Sequence, residues 1–418
     1  MTPQTERLLE RFLKYVRVHT TSDENSTTCP STSRQLDLAQ ILRSELQKLG
    51  LEARLDEHGY VYATLPANLP NGHPACGKVP TIGFIAHMDT SPDAPGHDVK
   101  PQVHRNYDGT DIVLPGDPSQ VIRVAETPPL KDQIGKDVIT TDGTTLLGAD
   151  DKAGIAEIME AVERMTADPS LLHGQIRIAF TPDEEIGRGA DRFDVSGFGA
   201  QAAYTLDGEV LGKIEKETFN AHAATLRIKG YNVHPGTAKD KMINSIYAAA
   251  EIIHRLPVDM RPETTEGREG YIHPRAIEGT VDSCTIHFLI RDHDIEESKR
   301  KIKLLEGIRD EVGKLLPKVA IELEVKESYL NMGTKVDENP RIVEIAMEAC
   351  REIGVEPFLD VIRGGTDGAR LSYMGLPTPN IFTGGFNYHS LREWASLQDM
   401  EKATQVVMRI AQLWVKEA

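Results

Sequence analysis

The chain has 418 residues, 39% apolar and 27% charged, with a formal net charge of -17. Those figures suit a globular protein of two domains, and the acidic balance disfavours nucleic acid and anionic membrane as partners, since both need basic surface. Four scattered cysteines with no CxxC spacing argue against a thiolate zinc site or a disulfide framework and for reduced thiols in the cytoplasm.

The first residues predict an amphipathic helix over 3–17, with Glu6, Arg7, Glu10 and Arg11 among leucines. That is not the basic-then-apolar order of a signal peptide, and no later run approaches the ~18 apolar residues of a membrane span. A second helix is predicted over 32–49, a hairpin over 51–66 and a Pro/Gly/Asn-rich loop over 67–79.

Thr81 to His87 is almost wholly apolar, the pattern of a buried central strand, and it ends in His87-Met88-Asp89. Polar groups at the exits of buried strands are where open α/β sheets place their sites. Residues 91–135 read as a long excursion with short strands. Gly148-Ala149-Asp150-Asp151-Lys152-Ala153-Gly154 then opens a helix reaching about Met165. Alone, the aspartates read as a helix cap. Adjacent carboxylates also attract a cation, and one with two oxygens can bridge two ions. Gly143 and Gly148 have phosphate-loop spacing, but no Lys-Ser/Thr follows, which excludes nucleotide binding.

The strand predicted at 175–180 runs into Thr181-Pro182-Asp183-Glu184-Glu185-Ile186-Gly187, and the one at 202–206 into Asp207-Gly208. Residues 218–330 read as a separate α+β unit, with strands at 223–228, 280–290 and 320–327 and helices through Ile243, Ile246, Ala249, Ile252 and Ile253 and over 295–314. A helix follows at 341–353, then a strand at 358–362 leading into Arg363-Gly364-Gly365. Arg363 has the fork geometry to clamp a carboxylate, or forms an ordinary surface pair. A strand at 378–382 leads to Asn387-Tyr388-His389-Ser390, and a helix closes the chain from 397.

His87, Asp150, Glu185, Asp207 and His389 thus form a set of two imidazoles and three carboxylates at equivalent topological positions. Such donors suit zinc or a similar divalent ion, and a pair of ions acidifies a water and polarises a carbonyl. Glu184 is left to move the proton.

The motifs around His87, Asp150, Glu184-Glu185, Asp207 and His389 resemble those of the M20 family of metallopeptidases over essentially the whole chain. The resemblance implies an α/β zinc-peptidase-like catalytic domain, at 1–217 and 331–418, with a central mixed sheet flanked by helices, and an inserted lid at 218–330. It implies two zinc ions bridged by Asp150, with His87 and Asp207 on one, Glu185 and His389 on the other, and a cis peptide after Asp150. Glu184 is the implied general base and Asp89 the partner of the His87 imidazole. His234, in His234-Pro235-Gly236-Thr237-Ala238-Lys239, would reach the oxyanion, and Asn244 and Arg363 the substrate carboxylate.

The implied activity is removal of the N-terminal residue from tripeptides. The alternatives are a dipeptidase or N-acyl amino acid deacylase using the same site, or a metal-binding protein without turnover. The unligated Glu184 argues against the last. Small peptides are the expected partners, and because the family often pairs through the lid, a homodimer stays open.

Overall fold

Apolar runs that end in polar residues dictate the architecture. The computed structural model describes residues 2–418. In chain order come α1 (Pro3–Val16), α2 (Gln35–Lys48), β1 (Glu52–Leu55), β2 (Val61–Leu65), β3 (Ile82–His87), α3 (Ala149–Ala167), β4 (Ile176–Thr181), β5 (Ala202–Gly208) and β6 (Lys213–Glu217). Then follow β7 (Asn220–Lys229), α4 (Ser245–His254), β8 (Tyr271–Gly279), β9 (Ser283–Asp292), α5 (Ile295–Leu315) and β10 (Ala320–Tyr329). The chain closes with α6 (Arg341–Glu352), β11 (Phe358–Val361), α7 (Asp367–Tyr373), β12 (Asn380–Phe382) and α8 (Leu397–Glu417).

These elements form two compact units. One comprises Met1–Lys216, Thr334–Asp360 and Thr366–Ala418, the other Glu217–Gly333 and Val361–Gly365. The inserted unit therefore runs slightly past the boundaries read from the sequence and takes in a short return segment around Arg363.

The first unit is built on an eight-stranded mixed sheet of order β1-β2-β4-β3-β5-β12-β6-β11. β4, β3, β5 and β12 are mutually parallel, while β2 and β6 join antiparallel on either side. Every residue of β3 is buried, as its unbroken apolar run requires. The register pairs His87 with Thr181 and Ile381 with Leu206, so the carboxyl ends of the parallel strands are brought to one edge. α3 packs on β3 and β5, with α1 and α8 against it. Gly154 permits this approach, because a Cβ there would lie 2.0 Å from the Leu206 carbonyl oxygen.

The excursion after β3 contributes strands Gln102–His104 and Val138–Thr140 to a small sheet, completed by Gly385–Phe386 and Trp394–Ser396. Those last two strands are the arms of a hairpin whose tip carries His389. Phe386 and Trp394 stack at 4.1 Å between ring centres and stiffen it.

The second unit is an antiparallel sheet of order β8-β9-β7-β10 with α4 and α5 packed on it. Leu226, Ile228, Ile286 and Phe288 alternate along β7 and β9 to supply its core, joined by Ile252 and Leu305 from the helices. β8 is absent from the sequence reading. It holds Pro274 at a break in register and lies at the sheet edge, the one place where proline and charged residues suit a strand. No helix among the described residues is long and apolar enough to cross a membrane.

Glu157 lies two turns beyond Asp150 on α3, fully buried, and neither carboxyl oxygen has a hydrogen-bond partner among the described residues. Burial pushes its pKa well above the usual range. Its stability contribution is then fully present below the unfolded value of about 4.3 and is lost as pH rises toward the folded-state value. Glu157→Gln removes that titration. Chemical denaturation should show the variant more stable than wild type by about 1–3 kcal/mol at pH 8 and equal to it near pH 4.

Candidate metal centre

Four strand exits and one helix start converge at the carboxyl edge of the parallel strands. β3 delivers His87, the turn after β4 delivers Glu184 and Glu185, β5 delivers Asp207, and the start of α3 delivers Asp150. The hairpin after β12 delivers His389, which itself sits at φ +60°.

Asp150 is the meeting point. Its Oδ1 lies 2.8 Å from His87 Nε2 and its Oδ2 3.2 Å from His389 Nε2. Glu185 Oε2 is 2.8 Å from the same His389 nitrogen, and Asp207 Oδ1 is 3.7 Å from His87 Nε2. The five predicted ligand residues are thus brought together. Two groups, His87/Asp150/Glu185 and His87/Asp151/Asp207, have ligand atoms all within 4.8 Å of one another. The Asp150–Asp151 peptide is cis.

The electrostatics follow from crowding acids away from water. Burial, reinforced by the Asp150 charge, pushes Glu185 up to about 8. Burial likewise raises Asp207 to about 6 against its bond to His87. Hydrogen bonds to Asp150 and Glu185 raise His389 to about 11. Burial opposes the charge on His87, but its carboxylate partners outweigh burial and hold its pKa well above the ordinary value. Asp150 is buried too, yet the two imidazoles hold it below the usual carboxylate range.

Glu184 contributes no bond from its carboxyl to the five. Burial first, then the charges of Asp207, Asp367 and Glu185, raise it well above the usual range. The Asp89 carboxylate accepts the N–H of Glu184 at 2.9 Å and of Glu185 at 3.2 Å, so it grips the turn that carries both glutamates. Toward His87, the shorter contact of Nδ1 is the main-chain oxygen of Asp89 at 3.0 Å, with the carboxylate at 3.5 Å.

The other three predicted residues belong to the second unit. His234 is exposed, and its Nδ1 accepts the Gly236 N–H at 3.1 Å. Asn244 caps α4, its side-chain oxygen accepting from Ile246 at 2.9 Å. The Arg363 guanidinium donates to the carbonyls of Thr265, Gly267 and Glu269 and to the Thr265 hydroxyl, and it lies over the Phe219 and Tyr271 rings. A carboxylate is clamped there only in exchange for those bonds.

Three residues outside the predicted set hold ligand backbones. Asp151 accepts the His87 N–H at 3.1 Å, and Asn380 accepts the Asp207 N–H at 3.1 Å. Glu393 accepts the Asp150 N–H at 3.0 Å. The signal for Glu393 is a charged residue four positions past His389, abutting the apolar Trp394-Ala395.

The chain matches the model of peptidase family M20/M25/M40 over residues 140–413. It is 52% identical to peptidase T of Caldanaerobacter subterraneus subsp. tengcongensis, covering 98% of this chain and 99% of that one. It is 50% identical to peptidase T of Desulfitobacterium hafniense, covering 98% of each. Among solved structures, aminopeptidase PepT from Bacillus cereus superimposes with a TM-score of 0.75 at 25% identity, over 99% of both chains. A tripeptidase from Staphylococcus aureus gives 0.77 at 24% identity over the same shares, a likeness of fold.

Replacing Asp89 by asparagine sets an amide donor against one of the two N–H groups it now accepts. Asp89→Asn should cost about 1–3 kcal/mol of stability in denaturant unfolding. Amide exchange at Glu184 and Glu185 should speed up while exchange in β8 and β9 stays unchanged.

Proposed function

The chain belongs to peptidase family M20/M25/M40, and from that premise we propose that it is a dinuclear metallo-aminopeptidase that removes the N-terminal residue from tripeptides. The observation that carries the reading is Asp150, which offers one carboxylate oxygen toward each of two imidazoles. The name peptidase T, borne by relatives about half identical over nearly the full length, supports the substrate class.

The donor set fits two divalent ions of borderline hardness. Glu185 Oε1 supports the fit, since it is buried with no hydrogen-bond partner among the described residues. His87 and Asp207 would hold one zinc ion, Glu185 and His389 the other, with Asp150 shared. When bound, the ions supply Lewis acidity, which lowers the pKa of water from 15.7 toward about 7 and polarises a peptide carbonyl.

The chain's own part is positioning and proton transfer. Glu184 would take the proton of the attacking water at its carboxylate and return it to the departing amine. Burial raises its proton affinity above that of an ordinary carboxylate, the direction a general base needs. The second unit would act as the lid, with His234 donating to the oxyanion. Asn244 and Arg363 would meet the substrate carboxylate, Arg363 trading neutral carbonyl partners for a charged one, which is the stronger bond. The cytoplasmic setting read from the cysteine spacing belongs to the same proposal.

A panel of di-, tri- and tetrapeptides and N-acyl amino acids tests the substrate, with chelated and zinc-restored protein compared throughout. Tripeptides should be cleaved fastest, chelation should abolish turnover, and zinc should restore it. Glu184→Ala should retain two ions per chain while kcat falls by about 10²–10⁴-fold. If that variant sheds an ion and keeps its activity per ion, Glu184 is a ligand and not the base.

A further inference from the structure

Glu393 touches neither imidazole, yet it holds the turn from which Asp150 projects. It is 1% exposed and follows His389 by four residues on the same hairpin. Its Oε2 accepts the N–H of Leu147 at 2.7 Å and of Gly148 at 2.8 Å, and its Oε1 accepts the N–H of Asp150 at 3.0 Å. These donors come just before regular α-helical geometry sets in, since Asp150 and Asp151 have non-helical backbone angles within α3. Main-chain donors at such a start lack partners in the helix and need an acceptor from elsewhere.

The chemistry of the contact singles out a carboxylate. Three N–H groups converge on two oxygens, and only a group that accepts at both ends satisfies them all. Glutamine would turn an amide donor toward at least one of those N–H groups. Aspartate would keep the charge and lose the reach of one methylene.

We propose that Glu393 is a positioning residue for the metal centre, holding the Asp150 backbone so that one carboxylate oxygen faces each imidazole. This rests on the reading of Asp150 as the shared ligand. The same bonds tie the hairpin of His389 to the turn of Asp150, so one side chain sets the spacing between two ligand-bearing segments. A merely structural clasp would add to folding stability and leave ion binding alone.

Glu393→Gln, Glu393→Asp and, as a control on the same helix as Asp150, Glu157→Gln separate these roles. Ion affinity is read by competition with a chromophoric chelator, and ligand geometry by the visible absorption of the cobalt(II)-loaded protein. Glu393→Gln should bind the ions about 10–100-fold more weakly and shift the cobalt bands. Glu393→Asp should fall between it and wild type, and Glu157→Gln should match wild type in both readouts. A folded Glu393→Gln protein with wild-type affinity and spectrum, altered only in Tm, overturns the inference. If that variant does not fold, Glu393→Asp decides on the same two readouts. Wild-type protein that takes up no divalent ion would instead bring down the metallopeptidase reading itself, and this inference with it.

Discussion

Asp150 presents its two carboxylate oxygens to two different imidazoles, His87 on one side and His389 on the other. That arrangement is costly to assemble. Burial raises the proton affinity of Glu184, Glu185 and Asp207, and the charges of neighbouring carboxylates raise it further. Interleaved positive charge relieves the conflict, whether it comes from imidazolium or from metal ions. The fold supplies the necessary convergence through a simple device. Parallel strands in register end together, so residues remote in sequence reach one edge without any long-range search by flexible loops.

Much of this was legible in the residues themselves. β3 is read from its unbroken apolar run, and the break to His87-Met88-Asp89 marks its exit. β4 and β5 declare themselves in the same way. What periodicity does not reveal is which backbone N–H will lie beside which carboxylate. Asp151, Asn380 and Glu393 look like a cap, a strand residue and a hairpin charge, and their roles appear only in three dimensions. β8 hides for a different reason, since Pro274 and its charged neighbours suit an edge strand and resemble a loop. Arg363 marks the opposite limit. Its fork was legible, but the carbonyls of residues 265–269 that occupy it were not.

The backbone bonds around the centre also explain why its motifs come as short pairs of polar residues. Asp89, two residues after His87, holds the N–H groups of Glu184 and Glu185. Asp151, next to Asp150, holds the N–H of His87. The segment of His389 supplies Asn380 for Asp207 and Glu393 for Asp150. In each of these segments one residue faces the centre and another grips the backbone of a different ligand segment.

The outcome is a connected chain of bonds in which the segments that carry ligands also hold one another. The 150 turn holds the 87 strand exit, that exit holds the 184 turn, and the 380–393 segment holds both Asp150 and Asp207. A ligand removed from such a chain takes away one donor atom. A holding residue removed from it frees a whole backbone, and with it the direction in which an intact ligand points. Side-chain hydrogen bonds to main-chain donors in a buried site are therefore part of the centre's geometry, because a buried N–H left unpaired is expensive enough to drive the turn elsewhere. Asp150 and Asp151, which alone read as a helix cap, divide the work between contact and support: Asp150 faces the imidazoles and Asp151 accepts the His87 N–H.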